Sequence, residues 1–318
     1  MESSPQVPTS HPKPEKVHVV VNPAPSRKIP LLAILNQEFR DAGIHWDISP
    51  THGDGDGGVL ARKAIDEGAT VVAAYGGDGT VMEVAAALVG TDIPLLILPG
   101  GTGNLVAAEL RIPDKLEKAC DLVCKHDEFK TRLIDVGMIN GKPFLLRVGC
   151  GFETDVVQDA TRDLKDQFGK WAYVFAGIKA LQDAEETRYE IKMDDREKIT
   201  ERGVALAVAN AGAVGLGRVT LSPEVDVDDG LLDVFLLKKA NLEGMIQLAR
   251  QMMGLEPNPL SEVLPFLDAS ELVNHWTATD IQVASDPPRE IQVDGDLVDI
   301  TPAQISVEPS ALRVVVAG

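Results

Sequence analysis

The chain has 318 residues, enough for one large domain or two modest ones, and is 44% hydrophobic but only 4% aromatic, so its core must be aliphatic. A formal net charge of −19 argues against nucleic acid, which needs cationic neutralisation of its phosphates, and against attachment to anionic membrane by charge alone. Local basic patches remain at Arg27-Lys28 and over residues 165–170.

Residues 1–16 are rich in Pro and Ser with no apolar stretch, and read as a disordered tail rather than a signal peptide. Val17-His18-Val19-Val20-Val21 is a buried strand ended by Asn22-Pro23. Helical spacing follows over 31–42, with Leu31, Ile34, Leu35 and Phe39 on one face, then a strand over 44–48. The loop Gly53-Asp54-Gly55-Asp56-Gly57-Gly58 leads into a helix over 59–67. A strand over 70–75 ends in Gly76-Gly77-Asp78-Gly79-Thr80, which opens a helix over 81–89. A strand over 93–98 ends in a second glycine turn, Pro99-Gly100-Gly101-Thr102-Gly103-Asn104, followed by helices over 105–110 and 114–125. The alternation predicts a parallel α/β layer structure up to about residue 130, with both turns at the carboxyl ends of strands, where open sheets bind ligands.

Beyond residue 133 the pattern becomes strand-rich. Strands are expected over 133–138, 143–148, 188–193, 203–209, 231–237, 279–283, 290–293 and 305–307, with helices over 168–183 and 242–253. This predicts a second, two-layer antiparallel domain. The last apolar run, 312–316, can pair deep in either domain. No apolar run reaches the roughly 20 residues of a spanning helix. Cys120, Cys124 and Cys150 fit no disulfide framework and point to a reducing compartment, and no second ligand pair near them suits zinc.

Strand, glycine turn and helix together aim backbone N–H groups at a phosphate. A carboxylate beside a phosphate, as at Asp78, calls for a cation or a transferable proton between them, hence Mg²⁺ and nucleotide chemistry; the plainer reading is a tight turn with an exposed Asp. Two such turns on successive strands suit a polyphosphate. Asp294-Gly295 is a hairpin signal in its own right. Yet Asp294 and Asp296 also supply what a phosphoryl transferase needs, one carboxylate for a hydroxyl proton and one for Mg²⁺. Asp226-Val227-Asp228-Asp229-Gly230 fails as a calcium loop because its glycine comes one position early and the closing Glu is missing. No GxGxxG follows the first strand.

Taken in order, Asn22-Pro23, Gly55-Asp56, the two glycine turns, Gly149-Cys150-Gly151-Phe152, Asp229-Gly230-Leu231-Leu232-Asp233 and Val293-Asp294-Gly295-Asp296 resemble the diacylglycerol kinase catalytic-domain family. That family includes bacterial lipid kinases, sphingosine kinases and ceramide kinases, and is distantly similar to NAD kinases. The resemblance covers about residues 17–317. It implies an α/β nucleotide-binding domain over 17–133, joined by the C-terminal segment 300–318, and a β-sandwich-like lipid-substrate domain over 134–299, with the active site in the cleft between them. ATP would lie on Gly76, Gly77, Asp78, Gly79 and Thr80, near Asn22 and Thr51, with Thr102 and Asn104 lining the same cleft. Asp294 would be the general base toward a lipid hydroxyl. Asp78 and Asp296 would organise the Mg²⁺ of ATP, and Asp229 would hold a structural Mg²⁺ with the backbone carbonyls of Asp226 and Leu231.

The chain departs from the family pattern at four places. The first phosphate loop reads Asn22-Pro23-Ala24-Pro25-Ser26-Arg27, so Arg27 or Lys28 is expected to take over a phosphate contact. Leu105 replaces a carboxylate of the metal network, Asp296 is one methylene shorter than the usual Glu, and the lipid-facing glycines are reduced to Gly215-Leu216-Gly217. The expected activity is a Mg²⁺- and ATP-dependent lipid kinase, with diacylglycerol as default acceptor. A sphingoid base or another long-chain alcohol is the close alternative; a nucleotide-binding regulator with lost catalysis and an NAD kinase relative are the rivals. The expected setting is cytoplasmic with transient membrane docking, to which 255–267 is apolar enough to contribute, and a homodimer is compatible with the resemblance.

Overall fold

A computed structural model describes residues 7–23, 29–151, 185–213, 225–238 and 273–317. The expected helices over 168–183 and 242–253, the apolar run 255–267, Arg27, Lys28, the 165–170 patch, Phe152 and residues 215–217 lie outside the described residues.

The first strand is a correction. Thr9–Pro12 (β1), within the expected disordered tail, pairs antiparallel with Glu128–Ile139 (β6). His11 stacks on Phe129 at 5.4 Å between ring centroids and its Nε2 lies 2.8 Å from Thr131 Oγ1. Proline is tolerated there because a short edge strand need not donate every N–H.

The Val-, Ile- and Ala-rich runs then form a parallel sheet. Lys16–Val21 (β2) pairs with His45–Pro50 (β3) on one side and Val71–Gly76 (β4) on the other, and β4 pairs with Leu95–Pro99 (β5). Every residue of β4 and β5 is buried, as in a sheet covered on both faces. The covers are Leu31–Asp41 (α1) packed with Leu116–Cys124 (α5), and Asp56–Asp66 (α2) packed with Asp78–Leu88 (α3). Leu105–Glu109 (α4) is a single short helix after β5. Cys120 and Cys124 lie buried on α5, and burial raises both thiols, Cys124 to about 12. They are packing residues, not nucleophiles.

The later strands build a sandwich. One layer is antiparallel: Val273–Ala278 (β13), Leu232–Leu237 (β12), Ala205–Ala209 (β11), Arg147–Cys150 (β8), Glu290–Val293 (β15) and Asp296–Ile300 (β16), in that order. Facing it are Ile199–Gly203 (β10), Thr187–Met193 (β9) and Asp280–Asp286 (β14), with β6 and Lys142–Phe144 (β7). Phe144, Val148, Tyr189, Ile191, Leu206, Val234 and Ile281 fill the space between.

The long last strand, Ala303–Val316 (β17), joins the two halves. Its first residues pair with β14 and β6, and Val314 lies parallel beside Leu95 of β5. One continuous sheet therefore runs β10-β9-β14-β17-β5-β4-β2-β3.

Candidate active site

Chain order places the crevice. From β2 the chain steps outward to β3, then crosses back to β4 on the far side of β2, which makes the carboxyl ends of β2 and β4 a topological switch point. The residues expected to meet a nucleotide gather at this rim. Asn22 donates its backbone N–H to the Tyr75 carbonyl at 2.9 Å and its Nδ2 to Thr80 Oγ1 at 3.4 Å. Thr51, at the end of β3, donates its N–H to the Val21 carbonyl at 2.8 Å.

The two glycine turns lie against each other. Gly100 and Gly101 donate their N–H groups to the Gly76 carbonyl at 2.9 and 3.0 Å. A Cβ on Gly101 would lie 2.5 Å from the Gly77 Cα, so the absence of side chains is what permits this approach. Asn104, in the left-handed region at φ 50°, closes its own loop: its Oδ1 accepts from Gly101 N–H at 2.9 Å and its Nδ2 donates to the Gly101 carbonyl at 3.0 Å. Its side chain shapes the turn, while Thr102 is exposed beside it.

Asp78 opens α3, and its Oδ1 accepts the Val106 N–H of α4 at 3.1 Å, so one carboxylate oxygen pins the second turn to the first. Glu83, which sequence reading missed, anchors the third loop. Its Oε1 and Oε2 accept the N–H groups of Gly55 and Gly57 at 2.7 and 2.8 Å. The available signal was an acid in an otherwise apolar stretch of helix, Val81-Met82-Glu83-Val84-Ala85.

Asp294 and Gly295 form the hairpin turn between β15 and β16, with φ of 51° and 104°, as the Asp-Gly pair predicts. The carboxylate has a second task. Its Oδ2 accepts the N–H of Leu145, and its Oδ1 accepts those of Leu146 and Arg147, all at 2.9 Å. This is why the single strand expected over 143–148 divides into β7 and β8: residues between them turn their N–H groups to Asp294 instead of a ladder. Burial pushes the Asp294 pKa up, against the three N–H donors and the Arg147 charge. Oδ2, with one donor, retains capacity to accept a proton.

Arg147 and Glu109 also escaped sequence reading. The Arg147 Nη1 donates to the Ala213 carbonyl at 2.7 Å, and the guanidinium faces the charges of Asp294 and Asp78. Ala213 N–H in turn donates to Glu109 Oε2 at 2.7 Å, at the end of α4. A lone Arg inside Phe144-Leu145-Leu146-Arg147-Val148 was the readable hint. Candidate residues of the α/β half and of the sandwich thus share one electrostatic environment.

A second acidic group lies near β12. Arg132 pairs through Nη2 with Asp226 at 2.8 Å and through Nε with buried Asp228 at 2.5 Å. Buried Asp135 accepts the N–H groups of Gly230 and Ser310 at 2.6 and 2.7 Å, and Asp233 lies 2.6 Å from His275 Nε2. Asp229 accepts the Leu231 N–H at 2.9 Å. Burial, then neighbouring Asp233, Asp135 and Asp226, push its pKa up to about 6. The Asp226 carboxylate is taken by Arg132, and Leu231 meets Asp229 through its N–H. Asp296 is exposed on β16. Among the described residues no group of three His, Cys, Asp or Glu side chains converges to hold a metal.

The raised Asp229 pKa has a measurable sign. Its contribution favours the folded state below the unfolded value of 3.8 and is lost as pH rises through about 6. In metal-free buffer, Asp229→Asn is expected to raise the thermal midpoint at pH 7 and leave it unchanged at pH 4. Melting curves at the two pH values check this; equal shifts at both would place the effect elsewhere.

The chain is similar to known proteins over both halves. A family model described as the diacylglycerol kinase catalytic domain matches residues 16–139, and one described as the YegS C-terminal NAD kinase beta sandwich-like domain matches residues 147–316. A Bacillus subtilis diacylglycerol kinase is 33% identical over 74% of this chain and 78% of its own length. A Pseudomonas aeruginosa protein named "Probable lipid kinase YegS-like" is 31% identical over 86% of both chains. An uncharacterized Synechocystis protein is 34% identical over 80% of this chain, which spans 56% of that protein's length. The crystal structure of a Bacillus anthracis diacylglycerol kinase has the same fold, with a TM-score of 0.71 at 24% identity, covering 96% of this chain and 98% of that one.

Proposed function

This chain belongs to the diacylglycerol kinase catalytic-domain family, and from that premise we propose that it transfers the γ-phosphate of ATP to a lipid hydroxyl, diacylglycerol being the first acceptor to test. The observation that carries the reading is the pairing of two stacked glycine turns with Asp294, whose carboxylate is fixed by three N–H donors yet keeps acceptor capacity on Oδ2. In this reading residues 17–133, joined by 300–318, hold the nucleotide and residues 134–299 present the lipid.

The N–H groups at the start of α3 and those of Thr102 and Gly103 cradle the triphosphate, while the Gly100 and Gly101 N–H groups hold the two turns together through the Gly76 carbonyl. Asp294 takes the proton of the lipid hydroxyl as the new O–P bond forms and the bond to ADP breaks. Burial raises the affinity of Asp294 for that proton, which suits a base. Mg²⁺, when bound, would neutralise the phosphate oxygens, with Asp78 and Asp296 as its protein ligands. One or two carboxylates plus phosphates is its usual mode, so a three-carboxylate cage is not required. The acid-rich group around Asp229 suits the structural Mg²⁺, since burial and three neighbouring carboxylates already disfavour its bare charge. Millimolar Mg²⁺ is accordingly expected to raise the thermal midpoint of the wild type more than that of Asp229→Asn.

The test is transfer of label from γ-labelled ATP, with Mg²⁺, to diacylglycerol, monoacylglycerol, sphingosine, ceramide and phosphatidylglycerol in mixed micelles, with NAD as soluble control. A labelled lipid supports the reading and names the acceptor; labelled NAD alone overturns it. Leu105 favours the second reading, a nucleotide-binding regulator. It starts α4, packs partly buried against the core, and offers no oxygen to a metal. Leu105→Asp is expected to lower the Mg²⁺ concentration for half-maximal rate, and an unchanged titration would place residue 105 outside the metal network. No helix among the described residues is long and apolar enough to cross a membrane. The encounter with lipid is proposed to be peripheral and transient.

A further inference from the structure

We infer that Arg147 is a further catalytic residue, whose guanidinium grips the transferring phosphoryl group between the glycine turns and Asp294. This rests on the kinase reading above. Nothing in a sandwich strand requires a cation at this position; the neighbours Phe144, Leu145, Leu146 and Val148 are all buried. Its backbone is locked twice to Asp294, by Arg147 N–H to Oδ1 at 2.9 Å and by Asp294 N–H to the Arg147 carbonyl at 3.0 Å.

The side chain is aimed with equal care. Nη1 is held at 2.7 Å by the Ala213 carbonyl, and Ala213 N–H is held at 2.7 Å by Glu109. Glu109 ends the helix whose start is pinned by Asp78. The guanidinium is therefore supported through α4 by the same second glycine turn that would hold phosphates. Among the described residues it has no ion-pair partner within 4.0 Å, although it faces Asp294 and Asp78 at longer range. A partly buried cation without a contact anion is penalised by desolvation, and a phosphoryl group entering the crevice would supply that anion. Guanidinium geometry also matches it: planar donors can span two phosphoryl oxygens, where charge accumulates in the transition state.

The test separates ATP from ADP by calorimetric titration at fixed Mg²⁺. A contact to the transferred group must weaken ATP and spare ADP. In Arg147→Ala, ATP affinity is expected to fall by about tenfold or more, the size of a lost charge-assisted bond, while ADP changes by less than about twofold. Arg147→Lys, which keeps the charge and the fold but loses the fork, is expected to fall between wild type and Arg147→Ala; it decides the question if Arg147→Ala does not fold. In turnover, Arg147→Ala is expected to lose about 10²–10³ in kcat, with partial rescue by added guanidinium. A merely structural role would not be rescued. Equal losses for ATP and ADP, or none, would overturn this inference while leaving the kinase reading intact. Failure of the wild-type chain to bind ATP at all would overturn both.

Discussion

Asp294→Asn is expected to lower kcat by about 10²–10⁴, the range for loss of a general base, while ATP affinity stays within about twofold. In the proposed reading the nucleotide meets the glycine turns, whereas Asp294 belongs to the hairpin between β15 and β16. The structure adds a cost that a simple isosteric view would miss. The carboxylate accepts from Leu145 on one oxygen and from Leu146 and Arg147 on the other. An amide can keep only one of these oxygens, so its NH₂ must face a donor N–H. Leaving a buried donor unmet costs about 1–3 kcal/mol, and the melting midpoint should fall accordingly. Single-turnover rates and ATP titrations on the folded fraction separate the two effects. A variant that keeps most of its kcat would make Asp294 a turn residue and a brace for the 145–147 segment, with no part in the proton transfer.

Gly101→Ala carries the second large effect. Its Cβ would meet Gly77 Cα at 2.5 Å and both Asn104 Oδ1 and Gly77 N at 3.1 Å. The nearest of these atoms is backbone and cannot rotate away. Relief requires the two turns to separate, which breaks the Gly101 N–H bonds to the Gly76 carbonyl and to Asn104. Overpacking of this kind costs about 1–3 kcal/mol. Because the displaced groups form the proposed phosphate cradle, ATP affinity is expected to drop by at least about tenfold, more than any loss for the lipid. Gly53→Ala is the matched control, since a Cβ there meets nothing within 4 Å. If Gly101→Ala binds ATP as the wild type does, the stacked turns are punctuation and the triphosphate lies elsewhere.

Both variants probe the junction of features that differ in how far they could be read beforehand. Apolar runs punctuated by glycine are local signals, so the strand–turn–helix units around Asp78 and Asn104, their place at the carboxyl ends of strands, and the Asp294-Gly295 hairpin follow from neighbouring residues alone. The family resemblance extended this to the two-domain α/β and β-sandwich plan, which the fold shares. Local reading failed at β1, because Thr9–Pro12 becomes a strand only when β6 offers an edge and His11 finds Thr131, 120 positions away. It failed again at 143–148, where hydrogen bonds to Asp294 overrule an apolar run.

Legible along the chain is an inventory: two glycine turns, carboxylates at 78, 294 and 296, and an acid-rich segment near 229. Their partners emerge only from the packed fold. Asp78 spends one oxygen on α4, Asn104 closes its own loop, the Asp226 carboxylate pairs with Arg132, and Arg147 faces Asp294 and Asp78. The reason is physical. Secondary structure repeats with short periods that a sequence displays, whereas a side-chain hydrogen bond such as Leu145 to Asp294 joins residues 149 positions apart and leaves no periodic trace. Which carboxylate is braced and which is spent is decided only when distant strands pair, as β15 does with β8 to set Asp294 against residues 145–147.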